Sequence, residues 1–186
     1  MQNNFKQLEE RVLEILKLGR PNWDVPHTLA TVYWMKELLK TESGNEKILI
    51  STMYLHDIGY SKTKGDFNTR KGTVDAKDDH MKNGVIIAKP ILESLDYNKD
   101  EIDEILHLIS VHDNIEELSS QNEILVFEAD SLAQINISRA KSNFIGNDKI
   151  EFIKKFEEKR FPIFKTKIGK ELVQILFKEA KEFYSN

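Results

Sequence analysis

The run Ile48-Leu49-Ile50-Ser51-Thr52-Met53-Tyr54-Leu55-His56-Asp57-Ile58-Gly59-Tyr60 constrains this chain more than any other stretch. It is apolar, of helical length and free of turn residues until Gly59, so it predicts a largely buried helix. Near its end an imidazole and a carboxylate stand side by side. A carboxylate in apolar surroundings is costly unless something compensates it. A divalent cation would do so, because neutral His nitrogen and Asp oxygen both ligate such ions. Adjacent helix positions point about 100° apart, so His56 and Asp57 can share one ion only if its other ligands come from elsewhere. The competing reading is a capping Asp beside a hydrogen-bonded core His.

Composition limits what else can contribute. A chain of 186 residues suits one domain around one core, with 40% hydrophobic and 31% charged residues in ordinary globular balance. Without cysteine there is no disulfide and no thiolate ligand or nucleophile, so a metal must be held by His, Asp and Glu. The net charge of −4 argues against a nucleic-acid polymer as partner. It still allows a small phosphorylated substrate in a local basic pocket. No apolar run approaches membrane-span length, and the start Met1-Gln2-Asn3-Asn4-Phe5-Lys6 lacks a secretory apolar core. The expectation is a cytoplasmic protein that does not associate with a membrane, with a homodimer left open.

Periodicity predicts helices throughout and no strand. Residues 4–19 are amphipathic and stop at Gly19, Pro21 and Asn22. Asp24 is the expected N-cap of a second helix from about Val25 to Lys40, with His27 in its opening turn. Residues 61–79 show no helical period and few apolar side chains, which predicts a long functional or mobile loop. Within 62–71 it carries Lys62, Lys64, Arg70 and Lys71 against Asp66 alone. Further helices follow from about Lys77 and, behind capping-box patterns, from Asn98 and Ser120. Residues 148–186 read as two more helices, broken near Phe161-Pro162. The fold class is all-α, a single-domain helical bundle over residues 1–186.

Helix geometry then sorts the histidines. His112 falls inside the apolar arc of Ile102, Ile105, Leu106, Leu108 and Ile109, whereas His107 falls opposite it and reads as exposed. The helix from Ile124 to Ile137 is apolar nearly all round, and Asp130 is its only charge between Glu128 and Arg139. An unpaired carboxylate there would cost several kcal/mol. A metal shared with His56 and Asp57 would satisfy it, and so would a buried pair with Arg139.

The ordered set His27 … His56-Asp57 … Asp130, each part on a different helix, resembles the HD-domain superfamily of metal-dependent phosphohydrolases. The segments Trp23-Asp24-Val25-Pro26-His27 and Glu128-Ala129-Asp130-Ser131-Leu132 are similar to those around the first and last ligands of bacterial members. The resemblance covers roughly residues 23–140 and treats the rest as packing. It implies that His27, His56, Asp57 and Asp130 ligate one metal. His80 and His112 stand where some members hold a second metal, bridged by the dipeptide Asp, or contact substrate phosphate. Tyr60 occupies a position where many members carry lysine, and a Gly-Tyr-Pro signature is missing, which argues against cyclic-dinucleotide hydrolysis.

The implied chemistry is hydrolysis of a phosphate ester or anhydride of a nucleotide-like substrate by metal-activated water. Asp57, His80, His112 and Arg139 are the expected catalytic residues. Lys62, Lys64, Arg70, Lys71 and Arg139 are the expected phosphate clamps. The donor set suits one or two ions of Mn, Fe, Co, Ni or Zn, with Mg also allowed. An HD-type di-iron oxygenase and a non-catalytic metal-containing regulator are the alternatives.

Overall fold

The computed structural model describes residues 2–185, and the side chains of residues 5–184. They form nine α-helices with short 3-10 and π turns, and no strand occurs among them. The helices are α1 (Gln2–Leu16), α2 (Asp24–Leu38), α3 (Glu46–Leu55), α4 (Arg70–Asp75), α5 (Lys77–Glu93), α6 (Lys99–Val111), α7 (Gln121–Ile135), α8 (Gly146–Lys155) and α9 (Lys167–Ser185). None is long and apolar enough to cross a membrane.

Local chemistry sets several boundaries. Asn98 accepts Glu101 N–H while Glu101 accepts Asn98 N–H, and Ser120 and Glu123 do the same, so both predicted capping boxes open their helices. Asn45 caps α3 by accepting from Lys47 and Ile48 N–H. Asp24, however, does not cap α2. Its carboxylate takes the Arg20 N–H and the Arg20 Nε, each at 2.6 Å, and Trp23 occupies the cap position with no side-chain bond. A buried guanidinium is the stronger partner for a carboxylate that is 0% exposed.

Helix α7 is the axis of the bundle. Residues 125–133 are all buried, as its apolar circumference requires, and α2, α3, α6 and α9 pack around it. Glu128 ties α7 to the start of α9 by accepting the N–H groups of Lys165 and Thr166 at 2.6 and 2.9 Å. Helix α3 ends at Leu55, and the chain turns through a 3-10 segment, Ile58–Ser61, against α5. That approach requires glycine, since a Cβ on Gly59 would lie 1.8 Å from the His80 carbonyl oxygen. The close contact holds the turn that follows Asp57 against the helix that carries His80.

The expected structureless stretch 61–79 contains α4, opened by Thr69, which accepts Gly72 N–H. Helix α4 buries no residue, so it leaves no hydrophobic period in the sequence. Arg70 fastens it to α8, with its N–H on Asp148 at 3.1 Å and its guanidinium on Glu151 at 3.3 Å.

Candidate metal centre

Helices α2, α3, α5, α6 and α7 converge on two buried triads whose ligand atoms lie within 4.8 Å of one another. His27 from α2, His56 after α3 and Asp130 from α7 form the first; Asp57, His80 and His112 form the second. In the first, His27 Nε2 is 3.0 Å from Asp130 Oδ1 and 3.3 Å from His56 Nε2. In the second, His80 Nε2 is 3.2 Å from His112 Nε2. Asp57 joins the two. Its Oδ2 lies 3.5 and 3.4 Å from His27 and His56 Nε2, and its Oδ1 lies 3.6 and 3.7 Å from His80 and His112 Nε2.

The imidazoles are held in the tautomer that a metal needs. His56, His80 and His112 each donate Nδ1–H to a backbone carbonyl, those of Met53, Ala76 and Ile109, at 2.9, 3.3 and 2.8 Å. Their Nε2 lone pairs then face the centre. Two such lone pairs 3.2 Å apart, on His80 and His112, have no proton between them and call for a cation. Buried His27 Nδ1 lacks a partner among the described residues, and Trp23 stacks on that ring at 4.8 Å. This donor set fits divalent transition-metal ions, and both triads are positioned to coordinate them.

Charge agrees with the geometry. Burial opposes an imidazolium at His56, but the Asp57 and Asp130 carboxylates outweigh it and push its pKa up to about 9. In the metal-free protein a proton thus stands where a cation would. Burial and the neighbouring His112 push His80 down to about 4. Burial works against ionised Asp130 and Asp57, yet cations around each hold both well below the usual carboxylate range, Arg160 foremost at Asp130 and Arg20 at Asp57.

Those two arginines escaped the sequence reading. Arg20 donates Nη2 to Asp57 Oδ2 at 2.5 Å, and its guanidinium lies 3.6 Å over the Tyr60 ring, whose far face stacks on His80. Arg160 donates to Asp130 Oδ2 at 2.8 Å, to Ser131 Oγ at 2.9 Å and to Asp113 Oδ1 at 2.6 Å. It therefore leaves Asp130 Oδ1 to the first triad and Asp113 Oδ2 facing His80 at 3.8 Å. Asp113 was legible in principle, as an acid directly after the inward-facing His112.

Other expected residues lie elsewhere. Arg139 does not pair with Asp130; it is exposed, 3.3 Å over the Tyr33 ring, and does not line the cavity above the centre. Lys62 and Lys64 are exposed and also outside the cavity wall. Lys71 pairs with Asp75 at the surface. Of the four expected loop cations, Arg70 alone lines the cavity. Those side chains had no apolar neighbours to orient them inward. His107 is half-exposed and paired with Glu123 at 3.0 Å, as its helix position predicts. The C-terminal region is more than packing, since Phe152, Phe156 and Arg160 enter the wall of a cavity of about 580 Å³ over the triads.

A model of the HD domain matches residues 25–135, well over half of the chain. The chain belongs to the HD-domain family. No curated protein and no solved structure gives a significant match. The matched segment of this HD domain carries both triads, whereas Arg20, Trp23 and Arg160 lie outside it.

Proposed function

We propose that this HD domain is a metal-dependent hydrolase cleaving a phosphate ester or anhydride of a nucleotide-like small molecule. The observation that carries the reading is the placement of Asp57, with one carboxylate oxygen facing each triad at the floor of an open cavity. Divalent ions held there by His27, His56 and Asp130, and by His80, His112 and Asp57, would supply water of lowered pKa and charge against the phosphoryl oxygens.

The surrounding residues favour an anionic substrate once ions are bound. Asp24, Asp57, Asp113 and Asp130 outnumber Arg20 and Arg160 by two charges. Two divalent ions reverse that excess to two positive charges, which matches a phosphate dianion. Arg20 spends Nε and Nη2 on carboxylates, and among the described residues its Nη1 takes no hydrogen bond. Nη1 is the donor we assign to a phosphoryl oxygen, in the role expected of Arg139. Arg70 and Arg160 are the further cations we assign to the substrate side. Helices α4 and α8 contribute Arg70, Thr73, Val74, Phe152 and Lys155 to the cavity wall.

The test is to strip the protein of metal, reload it separately with Mn²⁺, Co²⁺ or Zn²⁺, and assay a nucleotide panel for phosphate or pyrophosphate release. Release that depends on added metal and is lost in chelator is expected. Absence of release with every metal, or oxygen uptake by iron-loaded protein in its place, would overturn the reading.

A further inference from the structure

One wall of the cavity is built from Trp23, Ser142, Phe144 and Phe152, all outside the segment that matches the family. Phe144 and Phe152 are partly exposed, with ring centroids 5.7 Å apart and planes tilted by 54°. Behind them stands Tyr184, only 1% exposed, which packs edge-on against Phe152 at 5.4 Å. Its hydroxyl also accepts the Ser142 N–H at 3.0 Å. Asn143 donates to the Pro21 carbonyl at 2.6 Å, which ties the loop to the chain just before Trp23. The loop 141–145 has no regular secondary structure, yet it is pinned from two sides.

Within this wall Ser142 Oγ is buried and has no hydrogen-bond partner among the described residues. A buried hydroxyl in that state is costly and calls for a polar atom that the protein does not supply. Aromatic rings and an orphaned hydroxyl in one wall suit a flat ring with heteroatoms on its edge. A sugar alone would cover less of the phenyl rings than a flat aromatic ring does, and an alkyl chain would leave Ser142 unsatisfied.

We propose that this wall is the subsite for the planar heteroaromatic ring of the substrate, a nucleobase. The ring stacks against Phe144 and Phe152, and a turn of the Ser142 side chain brings its Oγ to a ring nitrogen or carbonyl. The assignment rests on the phosphohydrolase reading for the phosphate end of the same molecule. It makes Ser142, Phe144 and Phe152 determinants of which substrate enters, and leaves the chemical step to the metal centre.

The experiment compares nucleoside 5′-monophosphates with ribose 5-phosphate on metal-loaded protein, alongside calorimetric titration with the four free nucleosides. Phe144→Ala is expected to raise KM for the nucleotides at least about fivefold, while ribose 5-phosphate stays within about twofold and kcat changes little. Ser142→Ala should alter the preference among bases and leave ribose 5-phosphate unaffected. Phe152→Leu, which keeps the apolar packing against Tyr184, should follow Phe144→Ala in direction. A parallel rise in KM for ribose 5-phosphate would overturn the subsite, as would failure of every nucleoside to bind the wild-type protein. If no phosphate compound is hydrolysed at all, the proposed function fails by itself. Nucleoside binding that is weakened by Phe144→Ala would still uphold the subsite in that case.

Discussion

At the scale of single residues, the centre is a set of carboxylates and imidazoles that cannot all be satisfied by protein partners. His56 shows this most directly, because Asp57 and Asp130 overcome its burial and hold its pKa at about 9. At neutral pH the metal-free protein therefore carries a proton on His56, and a metal ion must displace it. Calorimetric titration of metal at pH 7, repeated in buffers of different ionisation enthalpy, should register release of about one proton per ion at the first triad. Metal affinity there should climb with pH through about pH 9 and level off above it, where His56 is neutral. Which side chains meet here was only partly readable from sequence. His27, His56, His112 and Asp130 sit on helices whose apolar faces point them inward. Arg20 and Arg160 sit in or beside turns, where no period orients a side chain, and reach carboxylates 37 and 30 residues away.

At the scale of elements, helix order and most boundaries follow from capping residues and apolar period, which act locally. Helix α4 and the π turn Phe156–Arg160 do not, since α4 buries nothing and the turn buries Phe156 alone. The 3-10 turn Ile58–Ser61 matters more than its length suggests, because it carries the chain from Asp57 onto α5. Gly59→Ala places a methyl 1.8 Å from the His80 carbonyl and 2.5 Å from Gly84 N, both backbone atoms that cannot swing aside. The turn must move off α5, at a cost of about 1–3 kcal/mol by the usual measure of overpacking. Urea unfolding should register that loss. The same variant should weaken metal at the second triad more than at the first, because the displacement separates Asp57 from His80. Equal affinities at both sites in Gly59→Ala would mean that the turn does not set this spacing.

At the scale of the whole molecule, the bundle is a scaffold that buries charge and needs cations to do so. Its stability without metal should therefore depend on pH from both sides. His80 is depressed to about 4, so between about pH 4 and 6.5 the unfolded chain binds a proton that the folded one refuses, and stability rises with pH. His56 is raised to about 9, so its contribution is complete below about pH 6.5 and is lost as pH climbs through 9. Unfolding free energies in chelator should accordingly peak near pH 6.5. Saturating metal should abolish the alkaline decline, since a ligated His56 has no proton to lose. Metal stoichiometry tests whether Asp57 joins two cation sites. Equilibrium binding of Co²⁺ or Mn²⁺, counted per chain, should give two ions for the wild-type protein and a loss at both sites for Asp57→Asn with the helical circular dichroism retained. An Asp57→Asn protein that holds metal as well as the wild type would mean that Asp57 does not join two cation sites.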